Sequence, residues 1–502
     1  MLGALVWSVI AVTCGIRLWV VWGSFFWQDD YVHIWTAWNE PAGDLILRNW
    51  NGHREPAALA VQWLLARAAP QVWWPAALVL SLLAVATTVG FWLMLKRWGG
   101  VTPGTAGAAI LFAAWPATMV PQAWLSAGLE LVPLALLFAA GILLARPRRW
   151  TPWAVAGLAA LAWCFHERAV YFLPVLLAIA VFYSGRRAWH DNVASWLALG
   201  GVTVVAVGLR LGDDLTGRAA GASVPGAMWS AGPGSLLRSV AGWLPFEATR
   251  TVVPVVAGLS AVVFVMLWMA LLLVGLSVAP ARTLLVAGVV AGFFVVEALS
   301  FVWLRGGFAG PGLAADPRFT LVTGIVLLAG LGSFEITYRP VVWVATGLAA
   351  VGCWSLLRIG QAEDPGRAWL AAAHRLPPGA QLAATPSPPA MLSHFFFSTQ
   401  PPVYELGTTR TLLQVGPQPA SFPQRSTSPL QIDEQGVIGP LRFTPLVVAE
   451  GRQCGVAVVP RFDTGVRVVR LGALYVFPPP GPIAPVPIQG CVDSVEVGIP
   501  GR

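Results

Sequence analysis

LGALVWSVIAVTCGIRLWVVW, residues 2–22, runs directly into GSFFWQDDY, residues 23–31. The first stretch has the length and apolar content of a membrane-spanning helix, about 20 residues. The second sets the aromatic run Phe25-Phe26-Trp27 and two adjacent carboxylates, Asp29 and Asp30, at its far end. Paired acids at a membrane–water boundary are costly against lipid and point to a site rather than decoration. Residues 2–22 carry no basic start and no small-residue cleavage site, so they read as a retained span and not as a signal peptide.

The same apolar pattern recurs along the chain. Of 502 residues, 57% are apolar and only 11% charged, with a mean hydropathy of +0.69. Soluble domains carry about 25% charged residues, so the composition excludes a soluble protein and implies a polytopic membrane protein. Beyond 2–22, apolar runs lie at roughly 72–95, 104–120, 124–145, 152–165, 168–184, 192–211, 251–277, 281–304, 318–333 and 341–358. The expected fold is therefore an all-α polytopic membrane bundle of about eleven transmembrane helices. It occupies residues 1–359, with a large first external loop at 23–71.

The net charge of +8 comes mainly from cations in short loops, and Lys96 is the single Lys. Lys96 and Arg97, Arg146, Arg148 and Arg149, Arg186 and Arg187, Arg282, and Arg339 all fall on one side if the N-terminus is cytoplasmic. The basic balance thus follows membrane topology and calls for no nucleic-acid partner. Loops 23–71, 116–123, 165–168, 212–250 and 305–317 then lie outside, as do residues 360–502. The acids Asp29, Asp30, Glu167, Asp213, Asp214, Glu247 and Asp316 also face outward. Within the first loop, 29–38 and 56–69 read as short interfacial helices, the second opened by Pro56. Residues 212–235, rich in Gly, Ala and Ser, read as a loop.

From about residue 360 the composition shifts to short β-type runs punctuated by Pro, Gly, Ser and Thr: 437–438, 446–448, 456–459, 466–470 and 474–477. This predicts a small β-rich extracytoplasmic C-terminal domain over 360–502, with the Pro-rich pieces 377–389 and 478–487 as turns or linkers. Cys454 and Cys491 lie in this part and can pair if it stands outside the cytoplasm.

Several polar groups interrupt the apolar background. Asp29 and Asp30 suit a helix N-cap, yet the run Asn51-Gly52-His53-Arg54-Glu55-Pro56 in the same loop is more than a solvated surface requires. His166-Glu167-Arg168 breaks an otherwise apolar stretch from 152 to 184, where Gly or Asn would make a better tight turn. Its plainer reading is a Glu167–Arg168 surface pair; the functional one is a polar cluster lining an external cavity. Glu130, near the outer end of the fourth span, is a further cavity candidate or simply a helix-start acid. Arg305 opens a Gly-rich segment that ends in Asp316-Pro317-Arg318-Phe319, a backbone that permits close approach of a ligand. Arg318 can meet a phosphate at the bilayer surface or snorkel as an anchor. Arg17 and Glu297 lie within spans, where pairing with each other and pairing with cavity groups are both open.

Carboxylates, a His and several Arg at the outer ends of different spans suit glycosyl transfer from a lipid-phosphate sugar. The phosphate leaving group needs cations where charge develops, and the acceptor hydroxyl needs a carboxylate base. On these residues the chain resembles the GT-C superfamily of integral membrane glycosyltransferases. Asp29-Asp30-Tyr31 matches the acidic motif in the first external loop of that superfamily. His166-Glu167 resembles a basic–acidic pair, with His for the usual Lys, which makes the charge there pH-dependent. Arg318-Phe319 resembles an Arg–aromatic pair, with Phe for the usual Tyr. The resemblance implies a polyprenyl-phosphate-sugar donor, a glycan or lipid acceptor of the cell envelope, and a multi-pass protein of a bacterial plasma membrane. It implies Asp30 or Asp29 as the base, with Asp30 favoured. Arg318, Arg168, His166 and Arg305 would serve the donor phosphate, and His53, Arg54, Glu130, Glu167 and Asp316 the acceptor or cavity. No tightly bound metal is expected, because adjacent acids rarely both ligate, although a divalent cation is compatible with the set. A transporter or flippase of lipid-linked glycans is the alternative; it predicts charges deep in several spans.

Overall fold

The apolar runs fold as helices. The computed structural model describes residues 1–27, 29–50, 53–115, 118, 124–184, 190–215, 273, 275–305, 321–334, 340–360, 365–377, 380–383, 424–432, 437–460, 468–478 and 483–500. Among the described residues, six helical segments are long and apolar enough to cross a membrane: Leu2–Gly23, Trp73–Gly99, Leu125–Leu144, Glu167–Ser184, Val193–Arg210 and Pro280–Glu297. Pro103–Ala113, Thr151–Phe165, Leu321–Gly332 and Pro340–Trp354 are apolar but shorter. These account for every expected run except 251–277, which lies almost wholly outside the described residues. The chain is thus a mostly helical, multi-pass membrane protein with a β-sheet C-terminal region.

Contacts divide the chain into two compact units. The first comprises Met1–Ser24, Ile46–Leu59 and Ala76–Ala362; the second comprises Phe25–Leu45, Ala60–Pro75 and Glu363–Arg502.

At the centre of the first unit is the helix Pro103–Ala113, buried on nearly all sides. Thr102 and Thr105 form a reciprocal capping box at its start, with Pro103 in the first turn. It packs against Leu2–Gly23, Leu321–Gly332 and Pro340–Gly360. In lipid there is no hydrophobic drive between helices, so contact depends on small residues that let backbones approach. A Cβ at Gly104 would stand 2.8 Å from the Phe334 carbonyl oxygen, and one at Gly352 would collide with the Ala114 carbonyl. Within the apolar run expected at 104–120 the α-helix ends at Ala113; Trp115 precedes Pro116, and a residue before proline is driven out of the α region. Around this helix lies an aromatic core in which Phe91 and Phe112 stand 4.3 Å apart and Phe112 and Phe138 5.6 Å apart.

The two deep charges each hold a helix end. Arg17 is fully buried and donates from Nε to the Ala113 carbonyl (3.0 Å) and from Nη2 to the Trp115 carbonyl (2.8 Å). Glu297 accepts from the backbone N–H of Val322 (3.1 Å) and Thr323 (2.8 Å) and from the Thr323 hydroxyl. A cation thus meets the carbonyl end of one helix and an anion the amide end of another, each answering orphan backbone groups and the helix dipole. The pairing of Arg17 with Glu297 left open by the sequence gives way to these two separate caps.

In the second unit a short helix forms at Asp29–Asn39, where the sequence predicts one. Trp38 ties it to the end of Pro56–Ala68, donating from Nε1 to the Ala66 carbonyl (3.0 Å) under the guanidinium of Arg67. Gln71 holds a left-handed backbone at φ 62°, and its Oε1 lies 3.0 Å from His374 Nε2. The sheet is antiparallel, in the order Arg425–Ser426, Leu474–Val476, Val468–Leu471, Ile483–Pro500 and Phe443–Pro460. Two departures from the sequence reading stand out. The runs 446–448 and 456–459 merge into one strand of 18 residues, which pairs along its length with the equally long Ile483–Pro500 through three register shifts. The Pro-rich piece expected as a turn over 478–487 enters that strand from Ile483; Pro485 and Pro487 sit where the strand pairs on one side only, with Val458 and Val456. There no ladder bond needs a proline N–H. Cys454 and Cys491 are direct partners across the ribbon and form a disulfide, with Cα atoms 4.4 Å apart.

Candidate active site

Asp29 and Asp30 open the helix Asp29–Asn39 in the second unit, and both are buried, Asp30 at 2% exposed and Asp29 at 9%. Asp30 is the more deeply placed of the two. One of its oxygens, Oδ2, accepts from the Trp27 backbone N–H at 3.0 Å, while its own N–H bonds the Trp27 carbonyl. This fixes the side chain against the preceding turn, the geometry an acid at a helix start adopts. The flanking aromatics pack on Trp73, whose ring stands 5.2 Å from Phe26, so the carboxylate pair begins in an apolar collar.

The first unit builds a second polar group from four chain segments. His166 ends the helix Thr151–Phe165 in an extended conformation (φ −166°, ψ 140°) and caps the 3-10 helix Glu167–Tyr171: its Nδ1 accepts from the Arg168 backbone N–H at 3.0 Å. Arg168 then sends Nη1 to Glu130 Oε2 at 2.8 Å. His166 Nε2 faces Glu55 Oε1 at 3.4 Å and Glu130 Oε1 at 3.8 Å. The His side chain is 5% exposed and the two Glu and Arg168 about 15% each, so these charges interact in a poorly hydrated setting where Coulomb terms outweigh those of a surface pair.

The surface pair of Glu167 with Arg168 read as one option in the sequence does not form. The two side chains leave the tight turn in different directions: Arg168 turns to Glu130, and Glu167 faces Arg210 at 3.7 Å. Nor does Glu130 act as a helix-start acid, for it occupies the N-cap of Leu131–Leu144 without making a capping bond and spends its carboxylate on Arg168 and His166. Tyr171, on the same turn, shares a hydrogen bond of 3.1 Å with Ser300. Arg168 is also close enough to act electrostatically on Glu297, one helical turn before Ser300.

Other expected residues stand differently. Arg54 lies on the two-residue strand His53–Arg54, opposite Asn49, and is half-buried; the His53 side chain is outside the described set. Arg305 is the last residue of the helix Pro280–Arg305, its side chain likewise not described, and Asp316 and Arg318 lie outside the described residues. Glu55 was missed as a site residue. Its signal was its place in the polar run 51–56, directly before Pro56, where its carbonyl accepts the first bond of the helix Pro56–Ala68 from Leu59 (2.9 Å). Among the described residues no three His, Cys, Asp or Glu side chains stand together as a metal-binding group.

No family model matches the chain, and no curated protein matches it. Among solved structures, the crystal structure of ArnT from Cupriavidus metallidurans bound to undecaprenyl phosphate is similar over 84% of this chain and 89% of that one, at 17% identity and a TM-score of 0.37.

Proposed function

We propose that the protein is a membrane glycosyltransferase of GT-C type, moving a sugar from a polyprenyl-phosphate donor to a cell-envelope glycan or lipid on the outer face of a bacterial plasma membrane. The observation that carries this is the Arg168 guanidinium, held by Glu130 beside His166 and Glu55 at the ends of apolar helices. A planar guanidinium has five donors and can serve Glu130 and a phosphate together. In the reaction an acceptor hydroxyl attacks the anomeric carbon, a carboxylate takes its proton, and the bond to the donor phosphate breaks. Asp30 is the base, with Asp29 as the second candidate. Arg168 stabilises charge on the departing phosphate, a role shared with Arg318 and Arg305. No tightly bound metal is assigned. The Cys454–Cys491 disulfide supports an extracytoplasmic C-terminal region. The transport alternative relied on deep charges, and Arg17 and Glu297 are both engaged as helix caps.

The test is transfer of labelled sugar from a panel of polyprenyl-phosphate donors by the purified protein, Asp29→Asn and Asp30→Asn. An Asn at position 30 can still accept the Trp27 N–H, so folding is retained. Asp30→Asn is expected to lose about 10²–10⁴-fold in kcat, the usual contribution of a general base. Equal activity in all three proteins would remove the acidic pair from catalysis.

A further inference from the structure

The two nitrogens of His166 are committed in opposite senses. Nδ1 accepts the Arg168 backbone N–H at 3.0 Å. An accepting ring nitrogen carries no proton, so the neutral ring holds its proton on Nε2. That nitrogen is the one facing acceptors, Glu55 Oε1 at 3.4 Å and Glu130 Oε1 at 3.8 Å. Becoming a cation would place an Nδ1 proton against the Arg168 N–H and cancel the cap that starts the turn Glu167–Tyr171.

We propose that His166 is a positioning residue for Arg168, held as the neutral Nε2–H tautomer, and is not itself a cation for the donor phosphate. The proposal rests on the reading of Arg168 as a phosphate group.

The charged groups around the ring divide. Glu55, before the helix Pro56–Ala68, and Glu130, at the N-cap of Leu131–Leu144, favour a protonated ring. The Arg168 guanidinium, already on Glu130, opposes it, and Glu167 is turned away to Arg210. Against the two carboxylates stands the backbone bond, because protonation at Nδ1 is possible only by giving it up. The same bond fixes the amide of the very residue whose side chain reaches Glu130, so the cap sets the direction in which the guanidinium leaves the turn. The proposal replaces the expectation of a pH-dependent charge at position 166 with a neutral ring: His at this place supplies an acceptor and a donor at once, which no Lys can do.

Two variants separate the roles. In His166→Asn the amide oxygen can accept the Arg168 N–H as an Asn cap does, with no charge; His166→Lys supplies a cation and no acceptor. Donor KM is expected to stay within about threefold of the parent in His166→Asn and to rise about tenfold or more in His166→Lys, the size of effect that follows from losing a side-chain cap. The opposite ranking, or equal loss in both, would overturn the proposal. An activity-independent readout is the imidazole ¹⁵N spectrum of His-labelled full-length protein, with His166→Asn for assignment. A neutral Nε2–H signal across about pH 6 to 8 is expected, and an imidazolium there would overturn the proposal. If the parent protein transfers sugar from no donor, the glycosyltransferase reading fails, while the spectrum still decides the state of His166.

Discussion

Arg17 and Glu297 each place an ionisable group inside an apolar bundle, and each hydrogen-bonds the end of a helix. Their partners are different backbone groups, Ala113 and Trp115 for Arg17 and Val322 and Thr323 for Glu297, so the two caps are expected to act independently. Arg17→Met and Glu297→Gln are each expected to cost about 1–3 kcal/mol, the penalty for leaving buried backbone groups unanswered. Thermal unfolding in detergent, followed by tryptophan fluorescence, should show the double variant losing the sum of the two. A strongly non-additive result would mean that the charges pair after all. In the second unit, burial pushes the His374 imidazole below its ordinary value. The unfolded chain then binds a proton more readily than the folded one. Stability from the neutral His374–Gln71 contact is therefore whole above the unfolded value near about pH 6.5 and is lost as pH falls through the folded one. The parent should melt lower at about pH 5 than at pH 7.5, and His374→Gln should flatten that difference.

At the scale of elements, packing in the first unit depends on glycines that no larger residue can replace. Gly352→Leu would drive a branched side chain into the Ala114 carbonyl and separate Pro340–Gly360 from Pro103–Ala113. Overpacking of this kind typically costs about 1–3 kcal/mol or more, and a lower melting temperature with retained helical signal would show it. In the ribbon, the disulfide joins residues 37 apart in sequence. Replacing both cysteines by Ser should lower the stability of the second unit by about 2–4 kcal/mol, read as earlier protease cleavage within 443–500. The helices were legible because only 11% of the residues are charged and nearly every apolar run became a helix. The break at His166 was legible too, since three ionisable residues interrupt an apolar run. Its partners were not: Glu130 lies 38 residues from Arg168 and meets it only through helix packing. The long strand was missed because Leu446, Val447 and Val448 are all about half exposed, so no alternation marks a buried face.

For the molecule as a whole, the topology read from the cations makes a direct prediction. Cysteines introduced at 98 and 150 in a Cys-free background should be protected from an impermeant maleimide in intact cells, while Cys454 and Cys491 in the parent should react only after reduction. Labelling in the reverse pattern would invert the orientation. The short central helix carries a consequence for how such a chain is made. Pro103–Ala113 has 11 residues, about 16 Å of helix, roughly half of the 30 Å hydrocarbon core. When it leaves the ribosome, Trp73–Gly99 and Leu2–Gly23 with its Arg17 precede it, while Leu321–Gly332 and Pro340–Gly360 follow some two hundred residues later. A segment that cannot span on its own must therefore be kept waiting at the insertion machinery, or re-enter the membrane late, once the last helices arrive to enclose it. The packing around the short central helix is therefore completed only when its last partners, Leu321–Gly332 and Pro340–Gly360, have been made.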